Sequence, residues 1–179
     1  MSGLEVFVGL AIITGLSGLY TKLRKKVGSR YVEQKLQKLD QDIYQTLSNV
    51  KLDDQNQIDH VVLSVYGIFI IKRVNQHGTI YGSSSDQEWT CQLKKQKQTF
   101  PNPIKQHATL TSTLVKHFNI KEKYIHTIVA FANKAELAVD QQLIKANQVT
   151  DYDRLPDLIQ SFSTPQLAKQ QIQTIADNF

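Results

Sequence analysis

Hydrophobic positions near the middle of the chain are grouped in two short runs that lie close together. Residues from Ile58 to Ser64 and from Gly67 to Val74 are rich in β-branched side chains and are apolar at consecutive positions. Such runs are typical of central strands in a sheet that helices cover on both faces. Only Val65 and Tyr66 separate the two runs, so the pattern predicts an antiparallel hairpin that spans Gln57 to Val74.

The segment before this hairpin has a helical rather than a strand-like pattern. From Arg30 to Gln45, apolar residues recur about every 3.6 positions, and charged residues occupy the other positions. The apolar positions are Val32, Leu36, Leu39 and Ile43. The periodicity predicts an amphipathic helix that packs on the sheet.

The remainder of the chain alternates short apolar runs with helix-start signals. Asn102 followed by Pro103 is an N-cap with proline at the first helical position, and it predicts a helix to about Phe118. Thr164-Pro165 repeats this signature before a last helix that passes through Ile172 to about Ala176. Further strands are predicted at Thr79 to Tyr81, Glu88 to Leu93 and Ile125 to Phe131, and a short helix at Leu155 to Phe162. The predicted fold class is α/β, with a small mixed β-sheet flanked by helices and preceded by an N-terminal hydrophobic helix.

The N-terminal segment differs from the rest in being free of charge over a long stretch. Val6 to Tyr20 contains no charged residue, and Lys22, Arg24, Lys25 and Lys26 follow directly. A helix of this length covers roughly 22 Å, which is short of the roughly 30 Å hydrocarbon core unless flanking residues contribute. The basic flank predicts that the following domain lies in the cytoplasm. Residues 1–26 are therefore predicted to be a single-pass anchor in the cell membrane, and residues 27–179 a cytoplasmic domain. The alternative is a first helix that packs on its own domain or on a partner.

Composition restricts the chemistry of the domain. The chain has 179 residues, of which 41% are hydrophobic, which is enough for one packed core. Cys91 is the one cysteine, so an internal disulfide and a thiolate-rich zinc site are excluded, and we predict that it packs beside Trp89. Residues 1–26 account for three of the five net positive charges. The domain that follows is nearly neutral, and its net charge alone gives no argument for nucleic-acid binding.

The register of the hairpin places one acid opposite one lysine. If Val65 and Tyr66 form the turn, Val61 pairs with Ile70 and Asp59 lies opposite Lys72. Val74 is the next side chain on the same face, because side chains alternate along a strand. A carboxylate near the end of a buried hairpin is costly unless it is paired or coordinates a metal.

Several sequence blocks around this hairpin resemble one known family. They are QIDHVV at residues 57–62, GIFII at 67–71, GTIYG at 78–82, Trp89, and Asn-Pro-Ile at 102–104 followed by Gln106. In this order and spacing the blocks resemble the nuclease-related domain, called NERD, over about residues 29–118. The resemblance implies a fold like that of PD-(D/E)XK nucleases, whose metal-dependent members cut DNA.

The resemblance also implies a set of site residues, and the chain departs from the family at two of them. Asp59 matches the metal-binding aspartate, Glu33 the acid on the leading helix, and Gln106 a glutamine after the Asn-Pro-Ile turn. Where the family has a glutamate and a lysine two residues apart on the second strand, this chain has Lys72 and Val74. In such a site carboxylates hold Mg²⁺, and the lysine positions water or stabilises developing charge. Lys72 puts a positive charge where the cation would lie.

Two functional hypotheses follow from this departure. The first is a catalytically degenerate module at the cytoplasmic membrane face, without a cofactor, that binds DNA or a protein partner and in which Lys72 pairs with Asp59. The second is a metal-dependent DNA nuclease in which Asp59 and Glu33 hold Mg²⁺ or Mn²⁺ and Lys72 serves as a relocated catalytic lysine. The loss of both motif residues favours the first. A purely structural membrane-associated protein is a third alternative.

Overall fold

The computed structural model describes residues 28–52 and 56–179, which form two β-sheets flanked by helices. The strands are β1 (Gln45–Lys51), β2 (Gln57–Ser64), β3 (Gly67–Val74), β4 (Gly78–Gly82), β5 (Glu88–Leu93), β6 (Gln96–Pro101), β7 (Ile125–Phe131), β8 (Ala135–Val139) and β9 (Val149–Asp151). The helices are α1 (28–36), α2 (Pro103–Phe118), α3 (Gln141–Lys145), α4 (Leu155–Gln160) and α5 (Lys169–Ala176), with a 3₁₀ turn at Glu122–Tyr124. The predicted α/β class is confirmed.

The larger sheet contains the predicted hairpin at its centre. Its strand order is β1-β2-β3-β7-β9, in which β1, β2 and β3 are antiparallel and β7 and β9 run parallel to β3. Val61 pairs with Ile70 and Leu63 with Ile68. The predicted register is therefore confirmed, and it brings the ends of β2 and β3 together.

A second sheet was not predicted. Its strand order is β6-β5-β4-β8, and β8 joins β4 in parallel whereas the other pairs are antiparallel. The prediction of one small mixed sheet was wrong here, because the exposed polar strand β6 and the short strand β8 lack long apolar runs.

Both faces of the larger sheet are covered by helices. Phe69 and Ile71 of β3 belong to a core cluster with residues of α1 and α4. Ile68 and Ile70, which alternate with them, belong to a second cluster with residues of α2 and α5. This alternation explains why the sequence of β3 is apolar at consecutive positions, and the predicted two-sided burial is confirmed.

Two predicted helices differ from the structure by more than two residues at one end, and the helix predicted at Leu155 to Phe162 ends two residues earlier, at Gln160. The helix predicted from Arg30 to Gln45 ends at residue 36, and β1 begins at Gln45. The Asp40 carboxylate accepts a hydrogen bond from the backbone N–H of Asp42 (3.0 Å), which favours a turn over a continued helix.

The last helix begins at Lys169 rather than at Pro165. The backbone N–H groups of Gln166 and Leu167 both donate to the carbonyl of Val65, so this segment is tied to the β2–β3 turn before the helix starts. The predicted end at Ala176 is confirmed.

The predicted start of α2 is confirmed, and its cap also holds a loop. The Asn102 side chain accepts a hydrogen bond from the backbone N–H of Ile104 (2.9 Å). Its amide group donates to the carbonyls of Ser83 and Asp86 in the β4–β5 loop. The cap therefore fixes the second sheet relative to α2.

The indole of Trp89 lies at the centre of the third core cluster, against Gly82. Trp89 stacks on Phe131 with ring centroids 6.1 Å apart, which joins the two sheets. A Cβ atom on Gly82 would lie 2.4 Å from the indole ring. We therefore expect Gly82→Ala to lower the free energy of unfolding by about 2 kcal/mol through overpacking. Urea denaturation of the full chain measures this change, and a loss below about 0.5 kcal/mol would contradict the packing described.

The predicted hydrophobic helix within residues 1–26 lies outside the described residues. In the ranges that the structure describes, no helix is long and apolar enough to cross a bilayer.

Candidate functional site

A polar cavity lies where the ends of β2 and β3 meet the start of α1. Its volume is about 480 Å³. The lining residues that the structure describes are all polar or charged; they are Ser29, Asn49, Gln57, Asp59, Lys72, Arg73 and Asn75. The hairpin register places Asp59 and Lys72 in this cavity from opposite strands. The structure therefore brings together two of the residues that the sequence analysis selected.

The Asp59 carboxylate is engaged by Arg73 on both oxygens. The backbone N–H of Arg73 donates to Oδ2 at 2.9 Å, and the guanidinium Nη2 donates to Oδ1 at 3.3 Å. The Lys72 ammonium lies 3.9 Å from Oδ2. Asp59 thus faces Lys72, as the register suggested, but Arg73 is its closer partner.

Sequence reasoning missed Arg73 because strict alternation directs its side chain away from the face of Lys72. The signal was available in the sequence, since two consecutive cations follow the apolar part of β3. The Arg73 side chain is only 12% exposed, and such a buried cation requires a carboxylate nearby.

Glu33 lies on α1 behind the cavity rather than in its lining. Its carboxylate accepts a hydrogen bond from the hydroxyl of Ser29 (3.0 Å), and Ser29 does line the cavity. Glu33 is close enough to act electrostatically on His60. The structure thus places Glu33 near Asp59 through Ser29, without placing both carboxylates in the cavity.

Gln106 is exposed in the first turn of α2 and does not line the cavity. Its neighbour His107 is buried and lies within electrostatic range of both Lys72 and Asp59. Burial, and then the charge of Lys72, lower the pKa of His107 to about 4. Neither ring nitrogen of His107 has a hydrogen-bond partner within the described part of the chain. The side chain on α2 that interacts electrostatically with Lys72 and Asp59 is therefore His107, a neutral histidine.

A second buried histidine lies on β2 next to Asp59. His60 is fully buried, and its Nδ1 is 2.8 Å from the hydroxyl of Ser48. Burial, and then the positive charge of Arg73, lower the pKa of His60 to about 4. On the same side, burial raises the pKa of Tyr152 to about 12. Burial thus favours the neutral forms of both His60 and Tyr152.

The residues of this cavity do not fit a divalent metal ion. Among the lining residues that the structure describes, Asp59 is the one carboxylate, and two cations lie within 4 Å of it. Across residues 28–52 and 56–179, no group of three or more histidines, cysteines and carboxylates could hold a metal. Val74, at the position of the family's lysine, packs against the cluster that contains Trp89. Hard cations bind through several oxygen ligands, and the one carboxylate that the described lining residues supply is already paired.

Cys91 is a packing residue, as predicted. It is buried in the same cluster as Trp89, and its Sγ donates to the carbonyl of His77 (3.3 Å). Burial raises the pKa of its thiol. A thiol with these surroundings is a poor nucleophile.

Comparison with known proteins supports the family resemblance. Residues 24–132 match the model of the family described as nuclease-related domain, and this range contains every candidate site residue. The chain is similar to an uncharacterized protein of Bacillus anthracis, with 31% identity over 164 residues that cover 86% of this chain and 74% of that protein. No solved structure matches the chain.

Proposed function

The chain belongs to the nuclease-related domain family, and we propose that it is a catalytically degenerate member that binds nucleic acid or a protein partner. The family match supports a nuclease-related origin, and the correspondence of Asp59 to the family's metal-binding aspartate rests on the sequence resemblance. The proposal concerns the side chains that interact with Asp59 in place of a metal ion. In this view the cations of β3 neutralise Asp59 permanently.

The arrangement of Asp59 between Arg73 and Lys72 carries this proposal. Two unit charges 4 Å apart interact by roughly 4 kcal/mol at an effective dielectric constant of about 20. A divalent ion bound at Asp59 would be repelled by Lys72 and Arg73. In return it would gain one carboxylate as a ligand. Arg73 would also lose the hydrogen bond that its guanidinium donates to Asp59. These effects make Mg²⁺ binding at this position unfavourable.

A rearranged nuclease site would need Glu33 and Asp59 to share the ion. Glu33 is absent from the cavity lining and is hydrogen-bonded to Ser29. Lys72 would then have to serve catalysis from a position beside the metal ligand. The geometry therefore favours a catalytically degenerate site over a rearranged nuclease site.

We further propose that residues 1–26 hold the domain at the cytoplasmic face of the cell membrane. The uncharged stretch and the basic flank of this segment support the proposal. Recovery of the full chain in the aqueous supernatant after membranes are pelleted would contradict it.

The full chain is expected to leave DNA intact in the presence of Mg²⁺ or Mn²⁺. The physical reason is that Asp59 is the one carboxylate among the described lining residues and that position 74 holds valine in place of the family's lysine. The measurement is cleavage of labelled single- and double-stranded DNA, with Lys72→Glu/Val74→Lys as the variant that restores the family's residues. Cleavage by the native chain that is lost in an Asp59→Ala variant shown to be folded would indicate that the site is catalytic.

A further inference from the structure

We propose that the cavity between β2, β3 and α1 binds a phosphate group of a single-stranded nucleic acid, with the Lys72 ammonium as its cationic contact. This inference rests on the proposed function, because a cavity that held a metal would contact phosphate through the ion instead. It specifies the ligand class of the degenerate site and the residue that recognises it.

The positive charge of Lys72 is not balanced by a second negative charge among the described residues of the cavity. Among the described lining residues are two cations and one carboxylate. The carboxylate of Asp59 already accepts two hydrogen bonds from Arg73, so these two residues neutralise each other. The Lys72 ammonium is 3.9 Å from Asp59, which is an ion-pair distance but too long for a hydrogen bond. Its three N–H donors therefore have capacity for an anion.

The remaining lining residues supply further donors. Asn49 and Gln57 carry side-chain amides, and Ser29 carries a hydroxyl. Phosphate oxygens accept hydrogen bonds from ammonium, amide and hydroxyl groups, and those from an ammonium are the strongest of these. No apolar side chain is among the described lining residues, which disfavours a hydrophobic ligand. The volume of about 480 Å³ falls in the range of small-molecule sites and exceeds what one phosphate requires.

The surroundings of the cavity favour a polymer with repeated phosphates over a lipid headgroup. Asn75, at the start of the β3–β4 loop, lines this cavity, and the next residues, Gln76 and His77, line a second cavity of about 190 Å³. The second cavity extends to the β5–β6 hairpin, whose turn carries the exposed residues Lys94 and Lys95. A strand that leaves the first cavity across this loop would meet two further cations.

The test is binding of a fluorescently labelled single-stranded oligonucleotide to the full chain in EDTA, measured by anisotropy over a KCl series. Lys72→Gln is expected to raise the Kd at least tenfold and to reduce the slope of log K against log salt by about one. Lys145→Gln removes the same charge from an exposed position outside the cavity lining and serves as the matched control. Orthophosphate should displace the oligonucleotide from the native chain more effectively than chloride of equal ionic strength.

Several outcomes would overturn the inference. They are equal Kd values for Lys72→Gln and Lys145→Gln, failure of orthophosphate to compete beyond chloride, and binding to vesicles of anionic lipid without binding to the oligonucleotide. EDTA removes any metal-dependent reaction, so these results do not depend on catalysis. Cleavage of DNA with Mg²⁺ would instead contradict the proposed degeneracy, and the two failures can therefore be distinguished.

Discussion

Replacing Asp59 by alanine is expected to lower the free energy of unfolding by about 3 kcal/mol. The change removes the acceptor of the two hydrogen bonds that Arg73 donates to Asp59 and leaves a guanidinium that is 12% exposed without that carboxylate. Loss of one partner of a buried ion pair costs about 3–5 kcal/mol, and the 23% exposure of Asp59 places this pair near the lower limit. Chemical denaturation of the full chain without divalent ions measures the effect.

The effect of Asp59→Ala on stability distinguishes a structural carboxylate from a metal ligand. Catalytic residues commonly reduce stability, so removal of a carboxylate from a working metal site often leaves the metal-free protein as stable or makes it more stable. Asp42→Ala, an aspartate at an exposed position, is the matched control and should change stability by less than about 0.5 kcal/mol. A stabilising effect of Asp59→Ala would contradict the ion-pair description.

Acidification from pH 7 to pH 5 is expected to lower the free energy of unfolding by about 4 kcal/mol. His60 and His107 each have a pKa of about 4 in the folded chain, compared with about 6.5 when unfolded. Between these values the unfolded chain binds more protons, so stability is fully present above about pH 6.5 and is lost as the pH falls toward 4. Each histidine contributes about 2 kcal/mol over this interval. For a chain of this size the melting temperature should fall on the order of 10 °C.

The variant His107→Leu isolates half of this pH dependence. Its ring makes no hydrogen bond within the described residues, so an apolar side chain of similar size can replace it. The melting temperature of the variant should fall about half as far between pH 7 and pH 5 as that of the native chain. Identical pH dependence in the two proteins would show that His107 is not a buried neutral histidine.

The parts of the fold that the sequence predicted are those in which burial determines composition. Strands β2, β3, β5 and β7 are apolar over their length or on one face, and their bounds agree with the prediction. Strand β6, with the sequence QKQTFP, is almost wholly exposed, and nothing in its composition indicates a strand. Strand β1 follows a turn that interrupts the helical spacing of apolar residues. A prediction from that spacing alone therefore placed the end of α1 too far along the chain. Tertiary pairing, rather than local preference, determines these elements.

The candidate site was predictable where it depends on register. The hairpin alone placed Asp59 opposite Lys72, and the structure places them 3.9 Å apart. Arg73 was not predictable by the same rule, because its contact with Asp59 uses a backbone N–H as well as the guanidinium at the end of the strand. His107 required knowledge of how α2 lies against the sheet, which sequence periodicity does not provide.

Titration of Mn²⁺ into the full chain, followed by calorimetry, tests the central claim most directly. The paired Asp59 predicts no saturable binding up to millimolar Mn²⁺, and Lys72→Glu/Val74→Lys is the positive comparison in which a second carboxylate is restored. The degenerate description would be contradicted by a Kd in the micromolar range for the native chain that Asp59→Asn abolishes.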